Sequence, residues 1–406
     1  MTMIVLAMSA RAAAPLPEAP GLLPTAVVRP VLDQDPSVAA ARAGLEAARQ
    51  EAGILDKSPY EWTAKLSSQR RTLQAGPRYP EWNAALEHSL RLPGKATADR
   101  SLGKATVEEA EARYGEALLE AAKELLTAWL DWVGAERGYE LTQKNRQSAL
   151  ENLAVVEKRM RAGDASKLEV SLAEAELAEQ RRADNDAKTQ AAVAWARLHA
   201  RFPGIDRQFG TMPTPLQLKQ PPALWRDRIL AQSDELKIVE AQLRKSQAHA
   251  ERARADKVPD PTIGLYTASE VGGQERITGI MISIPFPGGQ SDRRAAKAIH
   301  TAEFTRQELE LKKRQLDAEI GSGLATVEGS YESLQIAEAG ASAMQNNAAL
   351  MQKAYSLGES DLQGLLSARR QATTAAQNAL AARVAATKAY YGLLVDAHLV
   401  WDLDHE

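Results

Sequence analysis

The sequence predicts a mainly α protein with a small β part, built from one helix-strand-strand-helix-helix unit stated twice. Three observations carry this. A glycine break recurs about 195 residues apart, first in Lys158-Arg159-Met160-Arg161-Ala162-Gly163-Asp164 and again in Lys353-Ala354-Tyr355-Ser356-Leu357-Gly358-Glu359. Strand-like runs precede Pro93-Gly94 and Pro287-Gly288 at nearly the same offset. Long Ala-rich helical patterns flank each glycine. The offset far exceeds the roughly 20–50 residue period of a solenoid, so it marks a duplicated half.

Composition narrows the class. Of 406 residues, 44% are hydrophobic but only 5% aromatic, so small side chains that let helices approach closely outnumber large core fillers. The net charge of -3, with no basic stripe, gives no nucleic-acid signal. The absence of cysteine excludes disulfides, thiolate metal sites and a lipidated N-terminal cysteine. No apolar run reaches the roughly 18 residues of a membrane-spanning helix. If the chain crosses a membrane, it does so with strands.

Residues 1–14 read as the end of a signal peptide: a short apolar run, then small residues resembling a cleavage site, without the basic leader. The Pro-rich stretch 15–33 reads as irregular. The first repeat covers 34–202. It opens with a helix over 36–57, Asp35 serving as N-cap and Pro36 as N1. Strands follow at 60–69 and 81–92. In the first, Tyr60, Trp62, Ala64 and Leu66 alternate with Glu61, Thr63, Lys65 and Ser67. In the second, Trp82, Ala84, Leu86, His88 and Leu90 share one face, with Asn83, Glu87, Ser89 and Arg91 on the other. A period of two with one apolar face marks a half-buried or lipid-facing strand.

A helix is expected over 96–160. Val107, Tyr114, Leu118, Ala121, Leu125, Trp129 and Trp132 step by sevens, fours and threes, a coiled-coil-like seam. At 1.5 Å per residue the rod measures roughly 100 Å. The chain turns at Gly163 and returns as a helix over 166–201, ended by Phe202-Pro203-Gly204. Residues 203–232 read as an irregular linker. The second repeat, 233–394, restates the order: a helix over 233–257, strands at 262–269 and 276–286, a helix over 292–357, the Gly358 turn, and a helix over 361–394. Ile280, Ile282 and Ile284 share a face of the last strand. Residues 395–406 form a C-terminal segment.

Four strands cannot close a barrel, since single-chain outer-membrane barrels have about eight or more. An open edge in lipid leaves backbone groups unpaired at several kcal/mol each. Spanning strands would therefore have to be shared among copies, and three copies give about twelve. At this point the chain resembles the TolC-like outer-membrane efflux channels. The resemblance rests on the duplicated plan, on the turns Arg161-Ala162-Gly163-Asp164 and Leu357-Gly358-Glu359-Ser360, and on the Pro-Gly exits. The segment from Ala255-Asp256-Lys257-Val258-Pro259-Asp260-Pro261 through Ile284-Pro285-Phe286-Pro287-Gly288-Gly289 is similar to the CzcC-type heavy-metal branch.

The resemblance implies a homotrimer. A 12-stranded barrel in outer-membrane lipid would continue into a 12-helix periplasmic barrel, with 15–33, 203–232 and 395–406 as an equatorial belt. It implies docking on a periplasmic adaptor that links the channel to an inner-membrane resistance-nodulation-division pump. The energy would come from the pump, so no nucleotide or other cofactor is expected. The cargo would be heavy-metal cations of the zinc, cobalt, cadmium, copper or nickel class. Organic toxins or proteins are the alternative cargo.

The resemblance makes Arg161, Ala162, Gly163, Asp164, Leu357, Gly358 and Glu359 the adaptor-contact tips. Glu169, Glu174 and Glu176 are candidate aperture carboxylates, because like charges repeated around a tunnel mouth attract cations. Relatives with aspartates past the second tip differ from this chain, which has Gly364 and Ser367 there. Tyr60, Trp62, Trp82 and Tyr266 are candidate membrane-interface aromatics. The histidines, His88, His199, His249, His300, His398 and His405, are scattered without ligand spacing, so no metal site is expected. Gly272-Gly273 and Gly288-Gly289 read as turns, not phosphate loops, since no Lys-Ser/Thr follows. No catalytic constellation is present. The rival classes are a structural coiled-coil protein and a periplasmic adaptor, but adaptors typically carry one hairpin rather than two.

Overall fold

The computed structural model describes residues 21–72, 74, 76–286 and 288–403. The signal-peptide reading, Pro287 and His405 lie outside them. Eight α-helices and four strands are described: α1 Thr25–Asp33, α2 Pro36–Asp56, β1 Thr63–Thr72, β2 Arg78–Ser89, α3 Pro93–Arg161, α4 Lys167–Arg201, α5 Pro222–Gln232, α6 Asp234–Ala255, β3 Thr262–Glu270, β4 Glu275–Ser283, α7 Gln290–Ser356 and α8 Leu362–Asp396. The order α2-β1-β2-α3-α4 recurs as α6-β3-β4-α7-α8. No described helix is long and apolar enough to cross a membrane.

The chain divides into two compact units. One, the sheet unit, comprises 39–117 and 233–317. Its four strands form one antiparallel sheet in the order β1-β2-β3-β4. Leu66 pairs with Ala84, Leu86 with Leu265, and Leu265 with Ile280. Paired residues share a face, so the registers collect Leu66, Leu86, Ile263, Leu265, Ile280 and Ile282 on one side, while Ile277 and Met281 fall on the other. The strand boundaries differ from the expected ones at the ends. β2 begins at Arg78 and includes Pro80, which an edge of the ladder tolerates. It stops at Ser89, and Pro93 instead opens α3, where a missing N–H costs nothing.

Where the strands leave the sheet, charged groups are buried together. Lys95 Nζ lies 3.0 Å from Asp260 Oδ2, and both side chains are only 5% exposed. The Tyr60 hydroxyl donates to Asp260 Oδ2 at 2.6 Å and the Leu92 N–H to Asp260 Oδ1 at 3.1 Å. Arg91 pairs with Asp99 at 3.2 Å and donates to the carbonyls of Leu55 and Asp56. Arg252 donates to Asp99 at 2.6 Å. Burial alone would raise the Asp260 pKa. Hydrogen bonds from Tyr60, Leu92 and Lys95 outweigh it and hold the carboxyl below the usual aspartate range. The hydrogen bond to Asp260, then burial, pushes the Tyr60 hydroxyl up to about 12. Each buried charge thus has partners, the condition for keeping charges out of water.

The other unit, the hairpin unit, comprises 21–38, 118–232 and 318–403 of the described residues. Two stretches expected to be irregular carry helices here. α1 runs through Pro30. The ring removes one helical hydrogen bond, but the helix buries Val28, Val31 and Leu32 along one side, and that burial decides. α5 begins with Pro222 and buries Trp225 and Ile229. The end of α8 extends to Asp396, and the residues after it are tied down: Trp401 Nε1 donates to the Leu23 carbonyl at 2.8 Å, Arg29 to the Asp402 carbonyl at 2.6 Å, and Arg228 to the Ala397 carbonyl at 3.0 Å.

Replacing Asp260 with Asn removes the buried partner of Lys95 and leaves it only the half-exposed Asp256 carboxylate, 3.4 Å away. Asp260→Asn is expected to cost ~3 kcal/mol of stability, read as a lowered melting midpoint by circular dichroism at neutral pH. The Asp260 carboxyl has a lowered folded pKa, so its contribution is complete above the unfolded aspartate value and is lost as pH falls through the folded one. The melts of wild type and mutant should therefore converge in strong acid. Equal midpoints at neutral pH would show that the cluster does not hold the unit.

Candidate functional site

Two surfaces are candidates, one in each unit. In the hairpin unit, both helical turns close by the same device. Gly163 has φ +86° and Gly358 φ +78°. The Gly163 N–H donates to Met160 and the Asp164 N–H to Arg159, while Gly358 and Glu359 donate to Tyr355 and Ala354. Both are Schellman ends with the glycine in the left-handed region, where a Cβ is strained. Neither glycine has an atom within 4 Å of where a Cβ would stand, so backbone conformation rather than space dictates glycine. All seven expected tip residues, Arg161 through Asp164 and Leu357 through Glu359, are exposed.

The helices that leave the turns are capped differently. Ser166 accepts from the Glu169 N–H at 3.2 Å, and Glu169 Oε2 accepts from the Ser166 N–H at 2.7 Å. This reciprocal box satisfies two orphan donors. In the second turn Asp361 caps alone, accepting from the Gly364 N–H at 2.7 Å. Beneath both turns lies one core. Val156, Ala173, Tyr355, Leu362, Leu365 and Leu366 are buried together, joining the two hairpins at their ends. Each fully buried leucine contributes ~2 kcal/mol. The Arg159 guanidinium lies 5.0 Å from the Tyr355 ring centroid. Burial raises the Tyr355 hydroxyl pKa, and Arg159 offsets part of that rise.

The three candidate carboxylates occupy different surroundings. Glu169 is engaged in its cap. Glu176 is largely buried, accepts from Gln180 at 2.8 Å and lies 3.9 Å from Arg370. It lines a cavity of about 190 Å³ with Asn145, Gln180 and Arg369, between the helices of the two hairpins. Glu174 is exposed and is the one most open to solvent. The three are therefore not a single cluster.

The second surface is the sheet. Leu66 is 82% exposed, Ile280 75% and Ile282 66%, all on the apolar face. The opposite face is crossed by polar pairs. Lys65 meets Glu87 at 2.7 Å, Gln69 donates to Glu81 at 2.9 Å, and Arg71 reaches both Glu81 and Glu270 at 2.7 Å. Trp82 belongs to the apolar face and is exposed, as is Trp62, which stacks on His88 at 4.8 Å. The other two aromatics do not join them. Tyr266 pairs in register with Gly279 and its ring covers that glycine on the polar face. Tyr60 precedes β1 and is held by Asp260. Among the described residues no group of three His, Asp or Glu side chains is placed to hold a metal ion.

Sequence reasoning missed the two caps and the Lys95-Asp260-Tyr60 cluster. The box was readable as Ser166-Lys167-Leu168-Glu169, the Ser-x-x-Glu signature. The polar face of Tyr266 was readable from parity, since Ile263 and Leu265 stand on the alternate positions. Nothing local marks the buried cluster, whose members are up to 200 residues apart.

Paired helical hairpins with left-handed glycine turns, and an open sheet apolar on one side and ion-paired on the other, define a membrane-channel class of protein. The family model described as outer membrane efflux protein matches residues 27–201 and 225–394. The chain belongs to that family, so it is an outer-membrane efflux channel and not of an enzyme family. Solved structures share the fold. The outer-membrane channel OprN is 19% identical, with TM-score 0.78, covering 93% of this chain and 90% of its own. The CmeC outer membrane channel of Campylobacter jejuni is 17% identical, with TM-score 0.74, covering 94% and 86%. CusC, whose solved structures concern conformational changes accompanying folding and transmembrane channel formation, is 17% identical, with TM-score 0.69, covering 92% and 91%. The comparison with curated protein sequences gives no match.

The turn geometry has a direct test. Gly163→Val or Gly358→Val forces a β-branched residue into the left-handed region, at a cost of ~1–2 kcal/mol. Gly163→Ala should cost less. Thermal melts in detergent read the effect, and valine variants as stable as wild type would contradict the turn assignment.

Proposed function

We propose that three copies of this chain form the exit duct of a tripartite resistance-nodulation-division efflux system. The observation that carries this is the sheet: four strands with two unpaired edges and a continuous exposed apolar face. In lipid such edges must pair, and pairing between copies is the route open to a four-stranded chain. Three copies supply about twelve strands, enough for a barrel whose polar faces line the lumen. The exposed tips Arg161–Asp164 and Leu357–Glu359 dock on a periplasmic adaptor, which links the duct to the inner-membrane pump. The duct is passive and carries no cofactor.

Heavy-metal cations are the cargo this reading favours. Its support is the similarity of residues 255–289 to the CzcC-type branch. The duct selects weakly, by charge, because a tightly held ion would be a poor transport intermediate. Of the candidate aperture carboxylates, Glu174 is the one free to act on passing ions. Glu169 and Glu176 contribute to the local field while serving the cap and the inter-helix cavity.

Light scattering of detergent-solubilised protein should give a trimer mass. In a planar bilayer the trimer should prefer cations, and Glu174→Gln should weaken that preference without altering the mass. A stable monomer with full strand content by circular dichroism would sink the shared barrel. Unchanged selectivity in Glu174→Gln would remove this residue from the aperture.

A further inference from the structure

The sheet separates its charges by face. All four carboxylates of the strands, Glu81, Glu87, Glu270 and Glu275, stand on the polar face with Lys65 and Arg71. The apolar face has no carboxylate, yet three arginines share its parity. Arg70 is in line with Leu66, Arg78 with Trp82 and Arg276 with Ile280. All three are exposed. None makes an ion pair or side-chain hydrogen bond among the described residues, whereas the adjacent Arg71, on the other face, holds both Glu81 and Glu270.

The three also share one end of the sheet. The strands join α2, α3, α6 and α7 at the end where Thr63 faces Glu87 and Thr262 faces Ser283. The arginines stand at the opposite end, beside the β1-β2 and β3-β4 connections. Arg276 is level with Trp82, Arg70 lies one row further out and Arg78 one row beyond that. Rows on one face are about 7 Å apart, so the arginines begin where the leucines, isoleucines and Trp82 end. A cation on a lipid-facing strand is costly at the bilayer midplane and nearly free at the interface. This rim therefore suits headgroup depth, on the side away from the helices.

The strand order scatters the three within one copy, with Arg276 on β4 and the others on β1 and β2. In a closed ring β4 of one copy adjoins β1 of the next. Arg276, Arg70 and Arg78 then fall on three consecutive strands, about 10 Å across at the usual strand spacing. Guanidinium groups with no carboxylate to hold suit phosphate, whose oxygens accept paired N–H bonds from arginine.

We propose that Arg276 of one copy, with Arg70 and Arg78 of the next, forms a site for a phosphate-bearing lipid headgroup of the outer leaflet. The site rests on the three-copy reading above. A lipid held there straddles the seam between copies, and because it binds only the assembled state it stabilises the trimer.

Full-length protein in neutral detergent is titrated with bisphosphorylated lipid A, with the same lipid stripped of phosphate, and with inorganic phosphate. Native mass spectrometry reads binding, and the melting midpoint of the trimer reads stabilisation. Only the phosphorylated lipid should bind and raise the midpoint. Arg70→Gln, Arg78→Gln and Arg276→Gln should each weaken its binding ~fivefold, and the corresponding lysine variants less. Two differently tagged chains test the seam, one with Arg276→Gln and the other with Arg70→Gln and Arg78→Gln. Neither forms a complete site alone, but each mixed trimer has one seam with all three arginines and should bind one lipid. Mixed trimers that bind no better than either parent overturn the seam site. Equal binding of the phosphate-free lipid, or an equal rise with inorganic phosphate, overturns the phospholipid-headgroup assignment. Each of these results leaves the three-copy reading standing, whereas a monomer by light scattering overturns both.

Discussion

An unpaired strand edge is intolerable in hydrocarbon, and the rest of this chain follows from that constraint. Each unmet N–H or C=O in lipid costs several kcal/mol, and a four-stranded sheet has two such edges. The sheet nonetheless presents leucines and isoleucines outward on one face and ion pairs on the other. Such a surface suits lipid on one side and water on the other. A family of outer-membrane channels is where such a sheet belongs. The buried Lys95-Asp260-Tyr60 cluster, at the strand exits, holds the sheet's ends to the helices of the same unit. It does so with charges that are fully partnered, which fixes geometry without leaving an uncompensated ion.

Much of this was legible because each element obeys a simple period. Alternation at Trp62, Ala64 and Leu66, and at Ile280 and Ile282, foretells which side chains share the apolar face. The seam through Tyr114, Leu118, Leu125 and Trp129 foretells a helix, and those four residues are buried. Gly163 and Gly358 announce turns because only glycine enters the left-handed region without strain. What escaped the sequence reading was tertiary override. Pro30 looked like a breaker, but the burial of Val28, Val31 and Leu32 outweighs one lost hydrogen bond. Pro222 looked like part of a linker, yet it occupies the first position of a helix, where proline is favoured. Tyr266 looked like an interface aromatic by type, and its parity assigns it to the other face. Glu169 looked like a free carboxylate, although its spacing from Ser166 already described a cap.

The two repeats have kept the backbone plan and diverged at the side chains. Both turns are Schellman ends, but the first helix exit is closed by a Ser-Glu box and the second by Asp361 alone. The first turn is basic, with Lys158, Arg159 and Arg161, whereas the second ends in Leu357 and Glu359. A duplicated fold thus presents two chemically distinct tips on one core.

Closure of the sheet edges is the claim on which the account depends, and backbone hydrogen exchange reads it directly. With the protein assembled in detergent, amides of β1 and β4 should exchange as slowly as those of β2 and β3, because the edge of one copy pairs with its neighbour. Fast exchange confined to the outward amides of Thr63–Thr72 and Glu275–Ser283, with the two inner strands protected, would show open edges and contradict the shared barrel.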